Sequence, residues 1–319
     1  MPHDDTPTRS AGRPWRRWRA FALLTVLTTS IAGLVGTLPA SAATAAPGYW
    51  IIAGNGALWS IGGTQLVNAT ANGATGPLGS PLGVAQSSIV GIASSADGNG
   101  YWAASKDGGV FSYGDAKFLG SLPQKGISVN DIVAIASTPD GKGYWLLGSD
   151  GGVFGFGDAG YFGSLPGSGV KVANVVGLSP TADGLGYVIA GADGGVFAYG
   201  DAPFFGSTYT NTNGGPAASP VVGITESPLG TGYLLAESDG ALAAFGTAFF
   251  GGSPLLSGAA QAPLIGIAYD ATGKGYTVVD QSGGVFVYGD APYYGSIPGE
   301  LLNTGLTNTT PMVAFTTTP

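Results

Sequence analysis

Four aspartates recur in one short phrase, Gly-Asp-Ala: Asp115, Asp158, Asp201 and Asp290. Carboxylates repeated at near-equal spacing can hold Ca²⁺, which takes roughly six to eight oxygen ligands, or accept hydrogen bonds from sugar hydroxyls. A second set, Asp97, Asp140 and Asp183, stands in the phrases ADGNG, PDGKG and ADGLG. The competing use for both sets is structural, because a turn aspartate accepts bonds from backbone N–H groups two residues on. Regular recurrence favours that use, with weak Ca²⁺ binding at Asp115, Asp158, Asp201 and Asp290 as the functional alternative. Glu226, Glu237 and Asp270 do not repeat. That suits them better to a single catalytic role, although no recognisable motif surrounds them.

Aromatic pairs supply the other candidate chemistry: Tyr161/Phe162, Phe204/Phe205, Phe249/Phe250 and Tyr293/Tyr294. Their flat apolar faces suit stacking on sugar rings, and burial between repeats is the rival use. Tyr161, Phe162, Phe204, Phe205, Tyr293 and Tyr294 are therefore the candidate ligand-binding residues.

Several chemistries are excluded by what the chain lacks. There is no cysteine, and the one histidine, His3, and all five arginines lie within the first 19 residues. Arg13, Arg16, Arg17 and Arg19 precede an apolar run from Ala20 to Leu38, then Pro39 and the triplet Ala40-Ser41-Ala42. That order reads as a secretory signal over residues 1–42, cleaved after Ala42, with residues 43–47 as a short linker. An uncleaved membrane anchor is the alternative, since the run just reaches a bilayer's thickness. From Ala43 onward six lysines face 17 acidic residues, a net charge of −11. Such a surface repels nucleic-acid phosphates and anionic lipid. Ser-His-Asp and Cys-His catalysis and histidine-bearing zinc sites are impossible there. A carboxylate pair for glycoside cleavage, or a Ca²⁺ site for lactone hydrolysis, is what remains.

The elements that position these residues repeat. A Gly-Tyr pair occurs at Gly48, Gly100, Gly143, Gly186, Gly232 and Gly275, spaced by 52, 43, 43, 46 and 43 residues. A second motif leads it, beginning at Ile89, Ile132, Val175, Val221, Leu264 and Met312. Each period holds four short apolar runs, in the central copy residues 175–179, 187–191, 195–199 and 203–206, separated by Asp-Gly and Gly-Asp-Ala turns. Four antiparallel strands per period of this length is the signature of a β-propeller blade. The third residue of each leading run is Gly or Ala, as innermost strands converging on an axis require. The chain starts in the middle of a blade and ends on a leading strand, residues 311–319. The expected fold is thus all-β, a six-bladed β-propeller of four-stranded blades over residues 48–319, its first blade completed by the C-terminal strand. Phe154 and Phe156, two apart on one strand, share a face and are expected to pack against the neighbouring blade.

The phrase GYWLLGSDGGVFGFGDAGYFGSLP resembles a repeat common in exported and cell-wall proteins of actinobacteria, often found beside hydrolase or peptidoglycan-acting domains. The resemblance spans residues 48–319 and implies an extracellular repeat module with no agreed activity. The first copy departs from it with a longer segment over 62–76, and the fifth has lost the aspartates, reading AFGTAFF. The resulting expectation is a secreted, monomeric, non-catalytic binding or scaffold module at the cell envelope. It needs no cofactor, unless Ca²⁺, and its partner is a wall glycan or an envelope protein. The alternative is a Ca²⁺-dependent or carboxylate-pair hydrolase.

Overall fold

The computed structural model describes residues 47–64, 89–211, 217–247, 249–250, 252–254, 258, 262–298 and 310–318. The expected signal segment, residues 43–46 of the linker and most of the long segment of the first copy lie outside them. Among the described residues no helix is long and apolar enough to cross a membrane.

The described chain is all-β and forms six antiparallel sheets. The first strands are β3 (Ile89–Ser94), β6 (Ile132–Ser137), β9 (Val175–Pro180), β12 (Val221–Glu226), β15 (Leu264–Tyr269) and β18 (Met312–Thr317). Second strands begin at or beside the Gly-Tyr pair: β1 (Gly48–Ala53), β4 (Gly100–Ser105), β7 (Gly143–Gly148), β10 (Gly186–Gly191), β13 (Tyr233–Glu237) and β16 (Gly275–Asp280). Third strands are β2 (Leu58–Gly62), β5 (Val110–Gly114), β8 (Val153–Gly157), β11 (Val196–Gly200), β14 (Leu242–Phe245) and β17 (Val285–Gly289). Sheet 1 is β18-β1-β2, joining the C-terminal strand to the start of the repeats, with Trp50 opposite Thr316 and Ile52 opposite Ala314. Sheets 2 to 6 follow in chain order, from β3-β4-β5 to β15-β16-β17.

Local chemistry explains these elements. The Asp150-Gly151 hairpin needs a left-handed residue, and Gly151 has φ +81° while Asp150 Oδ1 accepts the Gly152 N–H at 2.7 Å. Every first strand carries a bulge at its second residue, for example Val133 between Ile132 and Ala134, which bends it. First strands of neighbouring sheets touch in sequence, and β18 touches both β15 and β3. Small residues permit this. A Cβ on Gly91 would lie 3.1 Å from the Ile135 nitrogen, and one on Gly223 would lie 3.1 Å from the Gly266 Cα.

Six apolar cores lie between successive sheets. Between sheets 2 and 3, Trp102, Leu122, Tyr144, Leu146 and Phe156 are buried and Phe154 packs against them, as the two-residue spacing implies. The core between sheets 6 and 1 contains Tyr49, Ile51, Val279, Ile297 and Met312. Each such side chain stabilises the fold by about 1.5–3 kcal/mol.

Among the described residues each sheet has three strands, not the expected four. In the fourth run, residues 203–206, the backbone groups find another partner. Phe205 and Gly206 donate their N–H groups to the Tyr233 hydroxyl at 3.1 and 3.0 Å, and that hydroxyl donates to the Gly206 carbonyl. Gly206 also turns to φ +133°, where strand geometry ends. The same bridge recurs from Tyr144 to Gly120 at 2.5 Å and from Tyr276 to Gly252 at 2.7 Å. The tyrosine of one Gly-Tyr pair therefore holds the preceding repeat's fourth run in place of a ladder.

Candidate functional site

In the aromatic pairs an exposed ring stands beside one that packs on a buried tyrosine. Tyr161, Phe204 and Tyr293, the first of each pair, are 60%, 56% and 57% exposed. Their neighbours lean on buried tyrosines, Phe162 5.6 Å from Tyr187, Phe205 5.8 Å from Tyr233, and Tyr294 5.3 Å from Tyr49, ring centre to ring centre, although Phe205 keeps 36% of its surface exposed. The pair of the fifth repeat is offset by one residue: Phe249 is 40% exposed, and both Phe249 and Phe250 lie against Tyr276, at 6.3 and 6.2 Å between ring centres. Phe118 is exposed at the same point of sheet 2. Pair-hunting missed Phe118 because Leu119 stands where the second ring would be, yet its place ahead of Gly120 matches Tyr161 ahead of Phe162-Gly163. Among the described residues, each of five repeats offers at least one exposed ring.

The turn aspartates meet in pairs inside each sheet. The Thr138 hydroxyl lies 2.9 Å from Asp140 Oδ1 and 3.3 Å from Asp158 Oδ1, and accepts the Gly143 N–H at 2.9 Å. Thr181 does the same for Asp183 and Asp201. The backbone bond two residues on is found in the second set, as from the Lys142 N–H to Asp140 at 3.1 Å. For Asp158 and Asp201 the donor is the threonine hydroxyl instead. Their carboxylates also press on the Gly-Tyr glycine: a Cβ on Gly143 would stand 2.5 Å from Asp158 Oδ1. Asp97 and Asp115 are paired directly. Burial opposes ionisation of Asp97, but bonds from Asn99, Asp115 and Ser95 outweigh it and hold it below the usual range. Burial raises Asp115, with the Asp97 carboxyl adding to the rise. Asp290 belongs to sheet 6, where the order is swapped: Asp270 takes the usual Thr place, and Thr272 donates to Asp270 and Asp290 at 2.9–3.2 Å. Thus Asp115, Asp158, Asp201 and Asp290 sit in separate pairs. Among the described residues no three Asp, Glu, His or Cys side chains converge as a metal-binding group.

Sheet 5 breaks this pattern, with Leu229 where sheets 2, 3 and 4 carry Asp97, Asp140 and Asp183, and Thr247 where sheets 4 and 6 carry Asp201 and Asp290. It also ends its first strand on Glu226, where sheets 3 and 4 have Ser137 and Pro180. Glu226 is only 7% exposed, and neither of its carboxyl oxygens has a hydrogen-bond partner among the described residues. Burial, then the negative charges of Asp201 and Asp183, push its pKa up to about 7. It lines a cavity of about 530 Å³ together with Tyr49, Tyr269, Asp270, Asp290 and Tyr294. Glu237, the other non-repeating glutamate, accepts the Ser219 N–H at 3.1 Å away from this cavity.

The cavity draws on sheets 5, 6 and 1, and its lining residues are unlike one another. No family model matches the chain, and no curated protein matches its sequence.

Proposed function

We propose that this protein is a secreted, closed six-bladed β-propeller that binds a wall glycan at the cell envelope without cleaving it. The exposed aromatic series Phe118, Tyr161, Phe204, Phe249 and Tyr293 carries this reading. Rings offered near the same point of successive repeats suit a polymer whose sugar units also repeat. Each ring stacks on one sugar face, so a single contact is feeble, and retention comes from several repeats engaging one chain at once. Closure is supported by the β18–β1 ladder and by the core between sheets 6 and 1. Export is supported by the charged, apolar and small-residue order at the N-terminus.

Retention of the protein on purified, insoluble wall glycan tests the proposal. Tyr293→Ala should reduce retention partly, and adding Phe204→Ala and Tyr161→Ala should reduce it at least tenfold. These three rings are mostly exposed, so thermal unfolding should stay near wild type. Undiminished retention by the folded triple variant overturns the aromatic reading.

A further inference from the structure

The cavity around Glu226 has no part in the aromatic series, and its composition points to a different ligand. A carboxyl group that is buried without a hydrogen-bond partner is costly unless something supplies donors. Among the described residues lining the cavity there is no lysine, arginine or histidine to do so. Asp270 and Asp290 line the same space from sheet 6, while Asp183 and Asp201 act on Glu226 from sheet 4. The remaining walls include the rings of Tyr49, Tyr269 and Tyr294 and the Pro292 ring. Negative groups on an apolar, aromatic wall match a cation that carries a carbon skeleton. A volume of about 530 Å³ is far larger than a bare metal ion needs.

We propose that this cavity binds a primary ammonium group, whose N–H donors satisfy the Glu226 carboxylate while its carbon skeleton lies against Tyr49, Tyr269 and Pro292. Two sources offer that chemistry. One is a free organic amine. The other is the chain's own α-amino group, if the N-terminal segment is removed near Ala42: Pro47 lines the cavity, and residues 43–46 are then the whole tether. Four residues reach at most about 14 Å.

Ammonium binding requires Glu226 ionised, so binding releases a proton wherever the empty site is protonated. With an empty-site pKa of about 7, the ionised fraction rises from about 1% at pH 5 to about 90% at pH 8. Apparent affinity should therefore tighten roughly 100-fold across that range. The other acids facing the site are Asp201, Asp270, Asp290 and Asp183, the last held below the usual carboxylate range by bonds from the Leu185 N–H and Thr181, and the hydroxyls of Tyr49, Tyr233 and Tyr269, which burial pushes upward, stay neutral.

Calorimetric titration with n-butylamine tests this, with n-butanol as the neutral shape control. The amine should bind at least tenfold more tightly than the alcohol, and Glu226→Gln should remove that preference. Proton release, read in wild type by comparing buffers of different ionisation enthalpy, should approach one per site at pH 6. This second readout needs no variant. Running the secreted protein beside a sample acetylated at its α-amino group separates the sources. Binding by both assigns the site to free amines, and binding only after acetylation assigns it to the chain's own terminus. Binding by neither, or equal binding of alcohol and amine, overturns the proposal. So does turnover of a neutral glycoside that Glu226→Gln abolishes, because the carboxyl would then be a catalytic acid.

Discussion

Replacing Glu226 by Gln should change the pH dependence of stability in one window only. In the unfolded chain this carboxyl ionises near 4.5, whereas in the fold it holds its proton up to about 7. Below pH 4.5 both states are protonated, and the native state carries no penalty. Between 4.5 and 7 the unfolded state loses a proton that the native state keeps, so stability falls as pH rises. Above 7 both are ionised and the loss is complete. A displacement of that size corresponds to at most about 3 kcal/mol, reduced by whatever water the cavity admits to the carboxyl. Few other groups interfere. The only histidine is His3, and Asp97, Asp107, Asp140 and Asp183 are shifted downward, so their effects fall at acid pH. Asp115 shifts upward but is common to wild type and variant. Urea unfolding at pH 5, 6, 7 and 8 should show wild type losing up to about 3 kcal/mol while Glu226→Gln stays nearly flat. The buried amide costs the variant a constant amount, about 1–3 kcal/mol, so the test lies in the slope. Parallel curves for the two proteins would refute the reasoning.

Two further outcomes follow from the contacts between repeats. Tyr144→Phe should cost about 1–2 kcal/mol, because its hydroxyl bridges the Gly120 carbonyl and the Leu119 N–H. A cost below about 0.5 kcal/mol in chemical denaturation would contradict the bridging role. Deleting residues 312–317 strips the ladder from β1 and removes buried Met312 from the core between sheets 6 and 1. That should cost about 5 kcal/mol or more, and a truncated protein melting like the intact one would argue against closure.

Three of the four runs per repeat were legible in the sequence because their signals are local. Asp150-Gly151 specifies its own hairpin, and Phe154 and Phe156 declare a shared face by spacing alone. The fourth run was misread because its fate is decided elsewhere. Tyr233, some 27 residues away, takes the hydrogen bonds that a ladder would need. The hints were present, in Pro203 without an N–H and in Gly206 at the turn. The same holds for the aromatic pairs. Phe204 and Phe205 are adjacent in sequence, and only the position of Tyr233 shows which ring packs inward and which is the more exposed. Glu226 was visible as an acid that does not repeat. Its isolation from hydrogen-bond donors, and its company of acids from sheets 4 and 6, depend on how the sheets adjoin.

In a body built from near-identical repeats, symmetric positions answer to packing, and departures mark what packing does not require. Sheet 5 departs twice, by gaining Glu226 and by losing aspartates at positions 229 and 247. The two changes are coupled electrostatically. Asp183 and Asp201 already raise Glu226 from the next sheet, and a further carboxylate on sheet 5 would add to the same side. Thr247 is the place to test this, because the Tyr269 hydroxyl, whose ring lines the cavity, donates to its Oγ1 at 3.0 Å. Thr247→Asp restores the Gly-Asp-Ala phrase and keeps an acceptor for Tyr269. It should move the Glu226 pKa upward from about 7, since like charge disfavours ionisation. Carboxyl ¹³C chemical shifts followed against pH, with Glu226→Gln to assign the resonance, would read the change directly. By mass action the n-butylamine affinity at pH 7 should then drop by the factor by which the ionised fraction falls, unless the added charge attracts the amine enough to offset it. An unmoved or lowered pKa would mean that the missing aspartate has no bearing on Glu226, and that the loss of one and the gain of the other are unrelated events.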